Sequence, residues 1–156
     1  MAIELTVNGN TYSIPENREN PGWGEELTSW MDAITDVAAG ITGVGDILQT
    51  SVTIANNTAS ATNLAAFTFD PGTVRGAEIT YAIYRNTSAS ELAEFGKIYL
   101  VFKTVAGTWD LSQTFAGSSG VTLTITSLGQ MQYTSTNMAG TGYAGTIKYF
   151  AKAITI

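Results

Sequence analysis

The side chains of this chain best suited to chemistry are carboxylates, and the residues that usually work beside them are absent. Among 156 residues there are 13 Asp and Glu, no His and no Cys. Without histidine, no Ser-His or Cys-His catalytic arrangement is available from the chain itself. Without cysteine, there is neither a thiolate metal site nor a disulfide framework. Paired carboxylates could still flank a glycosidic bond, and Asp70, Glu78, Glu91, Glu94 and Asp110 are the acids available in the C-terminal two thirds. Glu91 and Glu94 are expected in a connection running from Thr87 to Phe95, where solvated loop charges are the ordinary outcome. Gly140-Thr-Gly-Tyr-Ala-Gly145 has the letters of a dinucleotide-binding loop. That motif needs a helix behind it, whereas here a strand is predicted, so the segment reads as a flexible strand connection. No D-x-[DN]-x-[DN]-G calcium-loop spacing occurs. The expectation is a non-enzymatic protein with no catalytic residue, cofactor or metal.

Binding chemistry has more to work with. Tyr81, Tyr84, Tyr99, Tyr133, Tyr143 and Tyr149, with Trp109, could stack on sugar rings, because an aromatic side chain joins an apolar face to a polar tip. Most of them are expected in the core or in subunit contacts. Asn56-Asn-Thr and Asn86-Thr-Ser match glycosylation acceptors by letter. A net charge of −6 and seven scattered Lys and Arg argue against nucleic acid, which requires clustered cations. The uncharged runs 47–69 and 111–147 are interrupted by Thr, Ser, Gly and Asn, so neither is a membrane span. Met1–Leu5 lacks the basic start of a secretory signal.

Charge divides the chain. Residues 1–46 carry eight carboxylates against Arg18, about −7, while 47–156 carry five acids and six bases, about +1. In the first part, Ile3, Leu5 and Val7 alternate with polar residues and Asn8-Gly9 supplies a tight turn before Thr11–Ile14, predicting a β-hairpin. After a polar connector from Pro15 to Pro21, an amphipathic helix is predicted over about 24–40. Glu25 and Glu26 suit its first turn and Gly40 its end. Its apolar stripe holds Leu27, Trp30, Met31, Ile34, Val37, Ala38 and Ile41. Leu27, Ile34 and Ile41 are seven apart, with Trp30 and Val37 between them, which is the spacing of a helical oligomer. The stripe is equally suited to docking on the chain's own sheet. Leu27, Trp30, Met31, Ile34, Val37 and Ile41 are the candidate subunit or capsid interface. Glycines 40, 43 and 45 form a hinge, and the boundary is placed near Asp46.

Beyond it, strands are predicted around 47–55, 63–69, 77–85, 96–104, 108–115, 120–127, 130–135 and 146–155, a two-sheet sandwich. Val121, Leu123 and Ile125 alternate with Thr122, Thr124 and Thr126, one face core and the other a ladder of hydroxyls. Ile98–Phe102 is apolar on both faces, which places it centrally or beneath a neighbouring subunit. Thr, Ser, Asn and Gly together make up 60 of the 156 residues. That surface suits a β-protein crowded by neighbours, where charged groups would have to be desolvated.

Taken together, the hairpin, the Pro21-Gly-Trp-Gly24 entry to an acidic helix, Tyr81-Ala-Ile-Tyr-Arg85, Gly96–Lys103 and Gly120–Tyr133 resemble accessory virion proteins of tailed bacteriophages: head decoration proteins, head fibres and short tail-fibre modules. The resemblance implies an all-β, jelly-roll-like two-sheet antiparallel sandwich preceded by the hairpin and helix, often trimeric, with no site residues to carry over. It implies assembly in the host cytoplasm into a virion, with major capsid or tail proteins as partners. The helix is too short for a long fibre shaft, which favours a compact knob or decoration unit, and the leading expectation is a protein of the capsid-decoration or head-fibre type. The alternative is a receptor- or glycan-binding tip whose connections near 86–95, 116–120 and 137–145 contact a ligand.

Overall fold

The computed structural model describes residues 43–155 throughout, the strands at 2–7 and 10–15, and the exposed residue Thr28. Contacts divide the chain into two compact units, Met1–Gly43 and Val44–Ile156. In the first, β1 (Ala2–Val7) and β2 (Asn10–Pro15) pair antiparallel, with Ile3 opposite Ile14 and Leu5 opposite Tyr12. The six residues of the predicted helical stripe, Leu27, Trp30, Met31, Ile34, Val37 and Ile41, lie outside the described residues.

The second unit is all-β. Its strands are β3 (Ile47–Thr53), β4 (Thr62–Thr68), β5 (Val74–Asn86), β6 (Glu91–Lys103), β7 (Thr108–Ser118), β8 (Val121–Ile125), β9 (Gln130–Ser135) and β10 (Ala144–Thr155). They form two antiparallel sheets, β3-β10-β5-β6-β7 and β4-β9-β8. β5, β6 and β7 are successive hairpins in one sheet, while β10 returns to lie between β3 and β5. The expected two-sheet antiparallel arrangement is present, divided five and three.

Two-residue alternation explains why these segments are strands and how the sheets face each other. In β5, Ala77, Ile79, Tyr81 and Ile83 are buried, while Glu78, Ala82 and Tyr84 are exposed. β6 repeats the pattern with Ile98 and Leu100 inside and Lys97, Tyr99 and Val101 outside. In β8, Val121 and Leu123 are buried and Thr122 and Thr124 exposed, so the hydroxyl ladder faces outward as predicted.

The core between the sheets is cemented by aromatic rings. Phe67 of β4 stacks on Tyr149 of β10 with centroids 3.7 Å apart and planes 5° from parallel. Phe69, just after β4, meets Trp109 of β7 at 6.2 Å. A break in the β4 ladder, where pairing jumps from Asn63–Gln132 to Thr68–Gln130, permits this geometry. Ala66 takes a left-handed φ of 55° within it. The Gln130 side-chain amide donates to the carbonyls of Leu64 and Phe67 at 2.8 and 3.3 Å, replacing ladder bonds that the bulge removes. Gly129, at φ 82°, lies so close to the Phe69 carbonyl that any Cβ would overlap it. Glycine is therefore required at this turn.

Phe67 is fully buried, and its truncation would remove the cross-sheet stack as well as its own transfer free energy. Phe67→Ala is expected to lower stability by about 3–5 kcal/mol in chemical denaturation, with Leu128→Ala on the exterior nearly neutral.

Candidate functional site

The inward phase of β5 continues past Ile83 to Arg85, and that of β6 begins at Glu94, so the same alternation that builds the core also buries two ionisable groups. Arg85 is 0% and Glu94 6% exposed. A buried guanidinium is tolerable only when its donors are met. Arg85 Nη1 donates to the Ser119 carbonyl at 2.7 Å, Nη2 to the Thr136 carbonyl at 2.5 Å and to Asn56 Oδ1 at 3.2 Å, and Nε to Tyr143 Oη at 3.0 Å. The guanidinium also lies over the Tyr143 ring, 5.6 Å from its centroid. Glu94 is held just as fully. Its Oε2 accepts from the Ser119 amide at 3.0 Å and the Ser119 hydroxyl at 2.8 Å, and its Oε1 accepts from Tyr81 Oη at 2.7 Å. Gln113 Nε2 donates to Tyr81 Oη and to Glu94 Oε1. Ser119 thus bridges the two charges through its own polar groups. Gly120, at φ 64°, leaves space that a Cβ would take from Thr136 and Arg85.

This network gathers one end of the sandwich. Asn56 Oδ1 also accepts from the Met138 amide at 2.9 Å, and Tyr143 Oη donates to the Ile54 carbonyl at 2.9 Å. Beside them, the Ser88 amide donates to the Thr141 carbonyl and Thr87 Oγ1 to the Ala139 carbonyl. The three connections considered as ligand loops in the sequence therefore do meet, joined by 54–58. They are shorter than expected, since β6 begins at Glu91 and β7 runs to Ser118.

Glu94 is a correction. The sequence placed it in a solvated loop, whereas it is a buried member of β6, because the strand starts five residues before the predicted 96. The other acids are also engaged. Glu78 pairs with Lys97 at 2.5 Å and Asp110 with Lys103 at 2.5 Å. Glu91 accepts from Tyr84 Oη at 3.1 Å, and Asp70 accepts from the Gly72 amide at 2.8 Å. Among the described residues no group of three or more Asp or Glu is placed to hold a metal ion, and no helix is long and apolar enough to cross a membrane. The Gly140–Gly145 segment leads directly into β10, a strand.

The aromatic candidates separate into two sets. Tyr81, Tyr133, Tyr149 and Trp109 are buried, and Tyr143 is committed to Arg85, so none of the five offers a free stacking face. Tyr84 and Tyr99, each 45% exposed, remain on the outer face of the larger sheet. Beside them lie Val101 of the Ile98–Phe102 run, 55% exposed, and two aromatics that the sequence did not single out, Phe95 and Phe150, at 59 and 42% exposure. β6 is flanked on both sides within its sheet, by β5 and β7, while Tyr99 and Val101 on its outer face are exposed. Of the two alternatives for Ile98–Phe102, a position inside the sheet is the one observed.

No protein-family profile matches the chain, and no curated protein matches it. Among solved structures, the chain is similar to the tailspike protein of Acinetobacter phage vB_ApiP_P1, with a TM-score of 0.45 and 16% identity. The match covers 67% of this chain and 21% of the tailspike chain, about a fifth of that protein's length.

Removing one member of the buried network leaves the others unpaired. Arg85→Met is expected to cost about 3–5 kcal/mol, and the loss from Arg85→Met and Glu94→Gln combined should be smaller than the sum of the single losses in a double-mutant cycle. Alkali should also act here. Burial, reinforced by the hydrogen bond to Glu94, raises the Tyr81 phenol above its ordinary 10.0. The folded state therefore keeps a proton that the unfolded state gives up, and stability falls as pH rises above about 10. Tyr81→Phe should flatten that decline in denaturation midpoints measured from pH 9 to 12.

Proposed function

We propose that this chain is a structural, non-catalytic virion protein of a tailed phage, of the capsid-decoration or head-fibre type. It would act as a trimer whose jelly-roll-like sandwich works through protein–protein interfaces. The observation that carries this is the outer face of β5, β6 and β10, where Tyr84, Phe95, Tyr99, Val101 and Phe150 are all half-exposed on one sheet. An apolar surface of this kind marks an interaction site more often than an idle exterior. The phage context comes from the resemblance of the sequence segments given above. Major capsid or tail proteins are the proposed partners, and the virion, assembled in the host cytoplasm, is the proposed location.

In this proposal residues 1–46 attach or oligomerise, and the stripe of Leu27, Trp30, Met31, Ile34, Val37 and Ile41 forms the association seam. Individually weak contacts become strong when many copies engage together. A receptor- or glycan-binding tip is the second proposal, favoured by the loop end that Arg85 ties together and by the open rings of Tyr84 and Tyr99.

Small-angle scattering of the intact chain should give the mass of three copies, and Ile34→Asp should give single chains whose sandwich melts as a folded unit. An unchanged oligomer mass in Ile34→Asp would remove the stripe from the proposal. Electron microscopy of intact particles should then show the protein on the head rather than on the tail.

A further inference from the structure

Among the described residues the two sheets of the sandwich end in four edge strands, β3 and β7 in the larger and β4 and β8 in the smaller. Three of them are blunted. β3 is bulged, its three steps from Thr50 to Ile47 set against two of β10. β4 breaks its ladder between Asn63 and Thr68, and the Gln130 amide takes up the carbonyls of Leu64 and Phe67 there. β8 is only five residues long. β7 has none of these defences. It runs eleven residues, and its ladder to β6 goes from Lys103–Thr108 to Ala93–Ser118 without a register shift. Gly117, at φ 87°, departs from strand geometry only near its end. The strand contains no Pro, Lys or Arg, and its one charge, Asp110, is held by Lys103. Sheets keep other chains off their edges with prolines, bulges or unpaired charges, so an edge lacking all three is open to pairing.

We propose that β7 is a strand-addition site, on which an extended segment of another polypeptide lies as a sixth strand of the larger sheet. This rests on the reading above that the chain works through protein–protein interfaces, and it names the kind of partner.

The edge itself sets the chemistry of that partner. In an antiparallel ladder every second residue turns its N–H and C=O away from its neighbour. β7 pairs with β6 alone among the described residues, so it presents a row of donors and acceptors that another main chain matches and that a sugar or a helix does not. Its inward side chains are Trp109, Leu111, Gln113 and Phe115, and their cover fades along the strand, from 8% exposure at Trp109 to 53% at Phe115. Phe115 stands opposite Gly96, which offers no side chain to lie against. A segment beside β7 extends this row with every second residue, and those residues must be apolar to cover Phe115. The outward side chains, Thr108, Ser112, Thr114 and Ala116 with the paired Asp110, are neutral overall, so the segment's other face is small and uncharged. The partner is therefore an extended segment alternating apolar with small polar residues. Trp109 adds one more unmet group on this strand, an indole N–H buried without an acceptor among the described residues.

The test is fluorescence anisotropy of a labelled peptide that alternates valine with threonine between terminal lysines, titrated with the full chain. Binding should saturate with a half-point below about 1 mM. Phe115→Lys, which charges the inward row without removing a ladder bond, should weaken it about tenfold or more. Phe95→Lys, on the outer face of β6, should leave it unchanged. Thermal melts establish that both variants are folded. Peptides N-methylated at alternate positions test pairing without altering the protein: methylating one set should abolish binding and methylating the other should not, since only one set of N–H groups faces β7. Absence of saturable binding, equal effects of the two methylated sets, or no effect of Phe115→Lys overturns the strand-addition site and leaves the trimer to its own test. Equal weakening by both lysine variants moves the peptide to the outer face and also overturns it. Protection of β7 amides from hydrogen exchange in the chain alone, lost on dilution as the sedimenting mass halves, assigns the edge to a second copy and overturns it as well.

Discussion

Every residue of β5 and β6 must choose between two faces, and the two-residue period of a strand means that one choice settles all the others. Ile79, Tyr81 and Ile83 must pack against the smaller sheet, so Arg85, in the same phase, is carried inward too. Thr80, Ala82 and Tyr84 are carried outward by the same rule. Slipping the register of either strand by one residue would expose its core side chains and carry Glu78 of β5 or Lys97 of β6 inward, away from the other. The buried polar network and the aromatic outer face are thus two sides of one alternation.

A sandwich end is where strands run out and loops begin, and backbone polar groups there lose their ladder partners. Here the Arg85 guanidinium supplies several replacements at once, meeting the carbonyls of Ser119 and Thr136 and the side chains of Asn56 and Tyr143. Its planar fork reaches in several fixed directions, which a lysine ammonium on a flexible stem would not match. Glu94 balances the charge through Ser119. The result is a loop end held by directional bonds, on a body whose core rings, Phe67 on Tyr149 and Phe69 near Trp109, hold the two sheets together.

Much of this was legible in the sequence because it follows from periodicity. Val121, Leu123 and Ile125 declared their buried face, and the eight predicted strands match the observed ones to within a few residues at most ends. Glu94 reads as a loop residue by polarity, whereas its phase places it inside. Counted by twos from Leu100 through Ile98 and Gly96, position 94 falls on the core side, and the same count from Ile79 reaches Arg85. Tyr81, Tyr133 and Tyr149 were ambiguous because a tyrosine suits either face. Phe95 and Phe150 are isolated aromatics in the sequence and become a surface only when pairing brings β10, β5 and β6 side by side. The helical stripe from Leu27 to Ile41 lies outside the described residues.

If the outer face is an interface of the virion, its rings should lose contact with solvent on assembly while other exposed apolar side chains keep theirs. Hydroxyl-radical footprinting, compared between the free chain and intact particles, measures this residue by residue. Oxidation of Phe95, Tyr99 and Phe150 should fall severalfold in the particle, with Val105 and Leu128 unchanged. Equal oxidation of all five in both states would contradict the account.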